Sequence, residues 1–447
     1  MTYKLRYYQE EAVKKGIDFF NDKKNKKNAV IVAPTGSGKS LIIANIAKAL
    51  DGNVIVFQPS KELLEQNYNK YVSYGEFAEI YSASVGRKKV SNVTFATIGS
   101  VVNKPELFNE FKYCIVDECH LVSPKDETMY QKFFTQLNLK VLGLTATPIR
   151  MKRYNFPNPH AKICMFDRMR PRFFSEYLHI IQISEMIENG YFSDIDYINY
   201  DFKTSSLQIN STGGDYTETS IKFALKENTV LEKIEVLYNS LMEKGKVKHV
   251  LIFIDSIENA TILQQRLKSC GMVTGTTKKS DRESILSNFK AGRLFGCVNV
   301  GVLTTGFDFP ELDCMIGGRP TMSLGLYYQI IGRAVRPSSN KEKAYIFDFV
   351  GNYKRFGKIS DFVIEQKNGF WCIHNGVKIL TNVDISEEQL LETGEITIDF
   401  GKHKGKKISE VPKEYLKWFF ENGTKNKYNK HIFDYIKNNT LVKSNTI

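Results

Sequence analysis

The feature that most constrains this chain is an apolar run, Asn28–Val32, that passes without a break into Ala33-Pro34-Thr35-Gly36-Ser37-Gly38-Lys39-Ser40 and then into a helical pattern over Leu41–Leu50. A buried strand, a glycine-bearing turn and a helix start, in that order, aim backbone N–H groups and the positive end of a helix dipole at an anion. Gly36 and Gly38 permit the turn, because glycine takes positive φ without a Cβ penalty. Lys39 adds a point charge for β- and γ-phosphate oxygens, and Ser40 offers a hydroxyl to Mg²⁺. Pro34, Thr35, Gly36, Ser37 and Gly38 are therefore expected around the phosphates of a nucleotide. The strict pattern opens on glycine, and Ala33 stands there instead. A chance glycine loop is the bland alternative; the Lys-Ser pair and both flanking elements weigh against it.

The same style recurs. Val54–Phe57 runs into Gln58-Pro59-Ser60, Val93–Ala96 into Thr97, Tyr113–Val116 into Asp117-Glu118-Cys119-His120, and Val141–Leu144 into Thr145-Ala146-Thr147-Pro148. Helical patterns such as Lys61–Lys70 lie between them. Buried strands alternating with helices predict a parallel α/β sheet, with ligands at the carboxyl ends of its strands. Farther on, His249–Ile254, Cys297–Val300, Cys314–Ile316 and Tyr345–Phe349 read as strands of a second lobe. The expected division is a first lobe over 1–150, a connector or accessory element over 151–230, a second lobe over 231–370 and a small basic C-terminal module over 394–447.

Asp117 and Glu118 end an apolar strand about 80 residues after Lys39. One carboxylate there can hold a metal ion and its neighbour can orient or deprotonate water. Asp117 is assigned to the metal, with Ser40, and Glu118 to the water. An acidic turn is common on any surface; its place after the phosphate loop decides against that. Arg333 and Arg336 lie three apart on an expected helix, hence on one face, with Gln329 four before Arg333. By themselves they read better as a solvated basic face. Thr145 and Thr147 read equally well as strand-end caps beside Pro148.

Bulk properties narrow the partners. The chain has 447 residues, 42% apolar and 25% charged, with a formal charge of +13. That balance favours an anionic partner, nucleic acid first, although a lysine-rich solvated surface accounts for charge alone equally well. No apolar run approaches membrane-spanning length, and the N-terminus lacks a secretory apolar region. Seven cysteines occur without paired spacing, so neither a structural zinc nor a disulfide framework is expected, and a reducing, cytoplasmic compartment is.

In order and spacing, these segments resemble the motifs of superfamily 2 helicases, in the DECH/DEAH spelling. The match runs from about Tyr3 to Pro337. Ala33–Ser40 corresponds to motif I, Asp117–His120 to motif II and Thr145–Thr147 to motif III. Arg6 and Gln9 resemble the Q-motif, Phe57–Gln66 and Ala96–Ser100 motifs Ia and Ib, Leu251–Asp255 motif IV, Asn299–Pro310 motif V, and Gln329–Arg336 motif VI. The resemblance implies two RecA-like lobes, ATP and Mg²⁺ as cofactors, and adenine read by Arg6 and Gln9. Lys39, Glu118, Arg333 and Arg336 would act in catalysis, the two arginines as fingers worth about 10³–10⁵ in rate in related NTPases. Gly306, Asp308 and Gln329 would line the nucleotide from the second lobe, and Thr145 and Thr147 would couple it to the track. Pro59, Ser60, Thr97, Ser100 and Thr304 would contact the nucleic acid. Within the superfamily the likeness is greatest to UvsW-, RadD- and XPB-like DNA helicases and to phage-encoded branch-migration helicases. DNA, single-stranded, forked or branched, is thus the expected partner.

The tail, 394–447, carries 11 lysines against 6 acids. Lys402, Lys404 and Lys406 form a basic glycine turn expected to grip phosphate. Tyr415, Trp418 and Phe419 are spaced as a helix core stripe, favoured over base stacking. Three rivals remain: an RNA helicase, a motor subunit of a restriction-type complex, and a nucleic-acid binder without turnover.

Overall fold

The computed structural model describes residues 4–125, 127–154, 160–211, 214–304, 306–367, 369–382, 401–403, 406, 411–422 and 433. The chain divides into two compact units, Met1–Met151 with Ile163–Asn382, and Lys152–Lys162 with Val383–Ile447. No helix among the described residues is long and apolar enough to cross a membrane.

Two large sheets dominate the larger unit. In the first, eight strands run in the order 174–180, 28–32, 140–145, 111–117, 53–57, 93–96, 79–82 and 87–88. All neighbours are parallel except the last pair. The central strands are buried along nearly their whole length, which is why they read as unbroken apolar runs. Helix Lys39–Ala49 packs between helices Tyr7–Asn21 and Lys61–Val72, and its Ile42, Ile43 and Ile46 are fully buried. The second sheet has six parallel strands in the order 195–199, 344–348, 314–318, 250–254, 296–299 and 270–273.

Residues 151–230, expected as a connector, supply an edge strand to each sheet. Phe174–Ile180 pairs with Asn28–Val32, and Ile195–Asn199 pairs with Ala344–Asp348. Both are mostly half-buried, so neither carries the continuous apolar run of a central strand. After the second lobe the chain returns to the first. Strands Val363–Lys367 and Phe370–His374 form an antiparallel hairpin whose Trp371 ring lies 5.0 Å from that of Tyr177.

In the smaller unit, helix Lys413–Asn422 buries Leu416 and Phe419, and the Phe419 ring lies 4.9 Å from Phe433. The expected core stripe is corrected here: Trp418 is 55% exposed. The buried face runs through Leu416 and Phe419; Tyr415 and Trp418 form the adjoining stripe, with His403 edge-on to Tyr415 at 4.5 Å.

Candidate functional site

Strands 28–32, 140–145 and 111–117 are adjacent and parallel, so their carboxyl ends bring the glycine loop, Thr145 and Asp117–Glu118 together. Above them opens a cleft of about 300 Å³. The first lobe lines it with Arg6, Thr35, Gly36, Gly38, Lys39, Ser40, Asp117 and Glu118, and the second with Gly306, Asp308, Arg333 and Arg336. Pro34 lies at a neighbouring apolar cavity instead, and Ser37 is buried beneath the loop.

Gly38 sits at φ +86, and a Cβ on it would stand 2.4 Å from the Gln9 amide nitrogen. Gln9 braces the loop from behind: its amide donates to the Ser37 carbonyl at 2.8 Å and accepts the Arg6 backbone N–H at 2.9 Å. Gln9 is thus packed under the glycine turn and, unlike Arg6, does not line the cleft. The Arg6 guanidinium lies 4.1 Å from the centroid of the Tyr191 ring, and Tyr191 forms part of the cleft wall. Tyr191 was not anticipated; its one signal was an aromatic just after the glycine that stops helix Ile183–Glu188.

Lys39 Nζ lies 3.2 Å from Glu118 Oε1, with both side chains nearly buried. Burial pushes Glu118 up, but the Lys39 ammonium and then His120 outweigh it and hold the carboxyl well below its usual range. Asp117 goes the other way. Burial, then the neighbouring Glu118 charge, push it up to about 6 against Lys39, the Asn67 amide at 2.9 Å and the Glu118 N–H at 3.0 Å. Two adjacent carboxylates therefore share one nearby ammonium, and Ser40 adds a hydroxyl beside them. This hard-oxygen set fits a divalent cation such as Mg²⁺. Among the described residues no group of three or more His, Cys, Asp or Glu is placed to hold a metal, so phosphate and water would complete its shell. Glu118 itself adopts φ 47, ψ 48, a left-handed conformation costly for a residue with a Cβ and typical of functional positions.

His120 joins the two lobes. Its Nδ1 lies 2.9 Å from Thr145 Oγ1 and 3.3 Å from Glu118 Oε2, and its Nε2 lies 3.4 Å from Gln329 Nε2. Thr145 Oγ1 also accepts the Thr147 N–H at 3.1 Å.

The expected helix over the two arginines is corrected. The helix spans Leu324–Ile331 and stops at Gly332, where a Cβ would stand 3.0 Å from Thr35. Arg336 precedes Pro337, which disfavours helical backbone. The Ala334 and Arg336 carbonyls are taken by Lys341 Nζ, the former at 2.8 Å, instead of by helical N–H groups. Both arginines still line the cleft. Arg333 donates to the carbonyls of Phe307, at 3.1 Å, and Thr304. Arg336 pairs with Asp308 and packs over Gly36 of the opposite lobe. Burial pushes both guanidinium groups down to about 10, and each retains a buried Nε without a hydrogen-bond partner. Buried positive charge of this kind favours an anionic ligand.

The expected nucleic-acid residues of the first lobe gather elsewhere, on one rim. Pro59–Ser60 and Thr97 follow neighbouring strands, and Ser60 caps helix Lys61–Val72. Thr97 Oγ1 lies 2.9 Å from Ser100 Oγ and 3.0 Å from Ser82 Oγ, which in turn lies 2.9 Å from Ser84 Oγ. Ser82 and Ser84 were not anticipated, because strand Glu79–Ser82 is short and lacks apolar alternation. Thr304 sits beside Arg333, and Gly306 follows it into the cleft. Lys402 Nζ lies 5.3 Å from the Tyr415 ring centroid and Lys406 is exposed; Lys404 lies outside the described residues.

A cleft between two α/β lobes, with a phosphate loop and paired carboxylates on one side and arginines on the other, defines a RecA-like two-lobed nucleotide-binding protein. The chain belongs to the superfamily 2 helicases. Residues 2–150 match the family described as "Type III restriction enzyme, res subunit" and residues 232–338 the "Helicase conserved C-terminal domain". Residues 386–428 match the family "Putative quorum-sensing-regulated virulence factor". The chain is 23% identical over 78% of its length to "Putative ATP-dependent helicase IRC3" of Saccharomyces cerevisiae, of which it spans about half, 51%. It is 22% identical to "ATP-dependent DNA helicase uvsW" of Enterobacteria phage T4, over 77% of this chain and 68% of that one. Among solved structures, a fragment of a "putative HsdR subunit of a type I restriction enzyme" from Vibrio vulnificus matches with a TM-score of 0.59 and 18% identity, over 80% of this chain and 66% of that one.

Proposed function

We propose that this chain is an ATP-dependent DNA helicase or translocase that remodels branched DNA, by fork unwinding or junction branch migration. The observation that carries the ATPase part is the single cleft lined by Lys39, Asp117 and Glu118 on one lobe and by Arg333 and Arg336 on the other. The loop amides and Lys39 hold the β- and γ-phosphates of ATP, and Ser40 and Asp117 would hold Mg²⁺. Bound there, the cation supplies positive charge to the phosphate oxygens. Glu118 accepts the proton of the attacking water. Its low-lying carboxyl is ionised for that role, and transfer of Lys39 from Glu118 to the phosphates strengthens it as a base. Arg333 and Arg336 neutralise charge developing on the γ-phosphate, so turnover depends on the second lobe. Thr145 and Thr147 pass the state of the site to the rim of Pro59, Ser60, Thr97 and Ser100 and to Thr304. Contacts from hydroxyls and strand ends hold phosphates without reading bases, as a stepping motor requires.

The choice of DNA is supported by the uvsW likeness and by the +13 charge. The branched substrate rests on that likeness together with the basic turn at Lys402, Lys404 and Lys406. A second reading, a motor subunit of a restriction-type complex, is favoured by the match over residues 2–150 and by the HsdR likeness.

One experiment tests these readings: ATP turnover and strand separation of the full chain with single-stranded DNA, duplex, fork, four-way junction and RNA. Glu118→Gln serves as the blank. Fork or junction DNA should stimulate most, and removal of residues 394–447 should weaken fork binding while sparing basal turnover. Stimulation by RNA alone, or by duplex alone with no unwinding, sinks the branched-DNA reading. Full turnover in Glu118→Gln sinks the assignment of the base.

A further inference from the structure

Helix Leu324–Ile331 carries Gln329 to His120 of the first lobe, so where that helix starts decides where this contact falls. That start, Arg319-Pro320-Thr321-Met322-Ser323, is held by a residue from a distant and unremarkable stretch. Asp215 lies in the polar segment joining the two lobes. Its Oδ1 accepts the Met322 backbone N–H at 2.9 Å and the Tyr216 N–H at 3.0 Å. Its Oδ2 accepts the Thr321 hydroxyl at 3.1 Å and lies 3.5 Å from an Arg319 guanidinium nitrogen. The Thr321 hydroxyl, so oriented, accepts the Ser323 N–H at 3.0 Å, and Ser323 Oγ then caps the helix by accepting the Leu326 N–H at 3.2 Å. Thr321 and Met322 are almost wholly buried, so each of these partners is costly to lose. From the other side Asn352 closes the turn, taking the Thr321 N–H and giving to the Arg319 carbonyl, both at 2.9 Å.

The far end of the helix is pinned independently. Lys341 Nζ donates to the carbonyls of Pro310 at 2.9 Å, Leu312 at 3.1 Å and Ala334 at 2.8 Å. With that end fixed, release of the start leaves the helix free to tilt. The start is also where the second lobe meets motif III: a Cβ on Gly325 would stand 3.8 Å from Thr147 Oγ1.

We propose that Asp215 is a positioning residue for ATP hydrolysis, setting Gln329 of this helix against His120 of the first lobe through the Thr321–Ser323 turn, while Lys341 holds the arginine end in place. The inference rests on the nucleotide reading above. Asp215 itself does not line the cleft. Misplacing this contact between the lobes lowers kcat, while nucleotide binding changes little because Lys39, Ser40 and the glycine loop lie on the first lobe.

The test uses the full chain with stimulating DNA. Asp215→Asn places an amide N–H against Arg319 and removes the charge; Asp215→Ala removes every contact. The expected result is a fall in kcat of about tenfold or more. KM for ATP should stay within about twofold, and the stoichiometry of fluorescent ATP-analogue binding should stay at one, which excludes a mere loss of folded protein. Thr321→Val, which deletes only the hydroxyl between Asp215 and Ser323 in nearly the same volume, should reproduce the loss and carries the test if the Asp215 variants do not fold. Unchanged kcat in Thr321→Val and in any folded Asp215 variant, or a loss confined to KM, overturns the inference alone. Absence of turnover in the wild-type chain overturns the nucleotide reading and this inference with it.

Discussion

His120 Nε2 lies 3.4 Å from Gln329 Nε2, a contact across the two lobes made by the last residue of motif II and the first of motif VI. The same imidazole holds Thr145 and Glu118 through its other nitrogen. One ring therefore touches the carboxylate assigned to water activation, the threonine that ends the neighbouring strand, and the second lobe.

Gln329→Ala removes the second-lobe end of that contact and leaves the phosphate loop untouched. Changes along such a coupling chain are worth roughly 0.5–2 kcal/mol, so DNA stimulation of ATP turnover should fall about two- to thirtyfold with KM for ATP unchanged. Turnover measured with and without DNA decides it; unaltered stimulation removes Gln329 from the coupling.

Tyr191 and Arg6 form one wall of the cleft, the guanidinium over the ring. Tyr191→Ala takes away the aromatic surface under Arg6, at a cost of about 1–2 kcal/mol by cation–π and contact interactions. KM for ATP should rise about tenfold with kcat nearly constant, and Tyr191→Phe should remain close to wild type. An equal loss in both variants would show that the hydroxyl, and not the ring, matters.

The hairpin after the second lobe is strapped to the first. Gln182 donates to the Ile364 carbonyl at 2.8 Å and accepts its N–H at 3.1 Å, and Asn382 donates to the Ile163 carbonyl at 2.6 Å. Gln182→Ala leaves both half-buried Ile364 groups without that partner, a cost of about 1–3 kcal/mol. Amide exchange over Val363–Lys367 should quicken by about tenfold or more, while the central strand Val250–Ile254 stays protected. Equal exchange in both proteins would mean that Asn382 and the Trp371–Tyr177 contact hold the strap without Gln182.

Asp348 ends strand Ala344–Asp348 and accepts the backbone N–H groups of Val350, at 3.0 Å, and Tyr353. Burial nevertheless pushes its carboxyl up to about 6. The folded value lies above the usual unfolded one, so its contribution to stability is complete below about pH 4 and is lost as pH rises through about 6. The melting temperature of wild type relative to Asp348→Asn should therefore fall between pH 4 and 7, by the equivalent of up to about 3 kcal/mol. A difference that is flat over that range contradicts the assignment.

The parts of this protein legible in its sequence are those governed by neighbours in the chain. The strand, glycine turn and helix at 28–49 announce themselves because burial on both sheet faces demands continuous apolar residues and the turn demands glycine. Asp117 and Glu118 were legible for the same reason, at the end of a buried strand. Tertiary structure alone decided the rest. The half-buried edge strands 174–180 and 195–199 have no apolar run to betray them. Arg333 and Arg336 leave the helix because Lys341 captures the carbonyls after it. Tyr191, Ser82 and Asp215 take their places from contacts with residues 15 to 185 positions away, such as Thr97, Met322 and Arg6. Periodicity reports which side of an element is covered; only packing decides what covers it, and here that covering brings the site together.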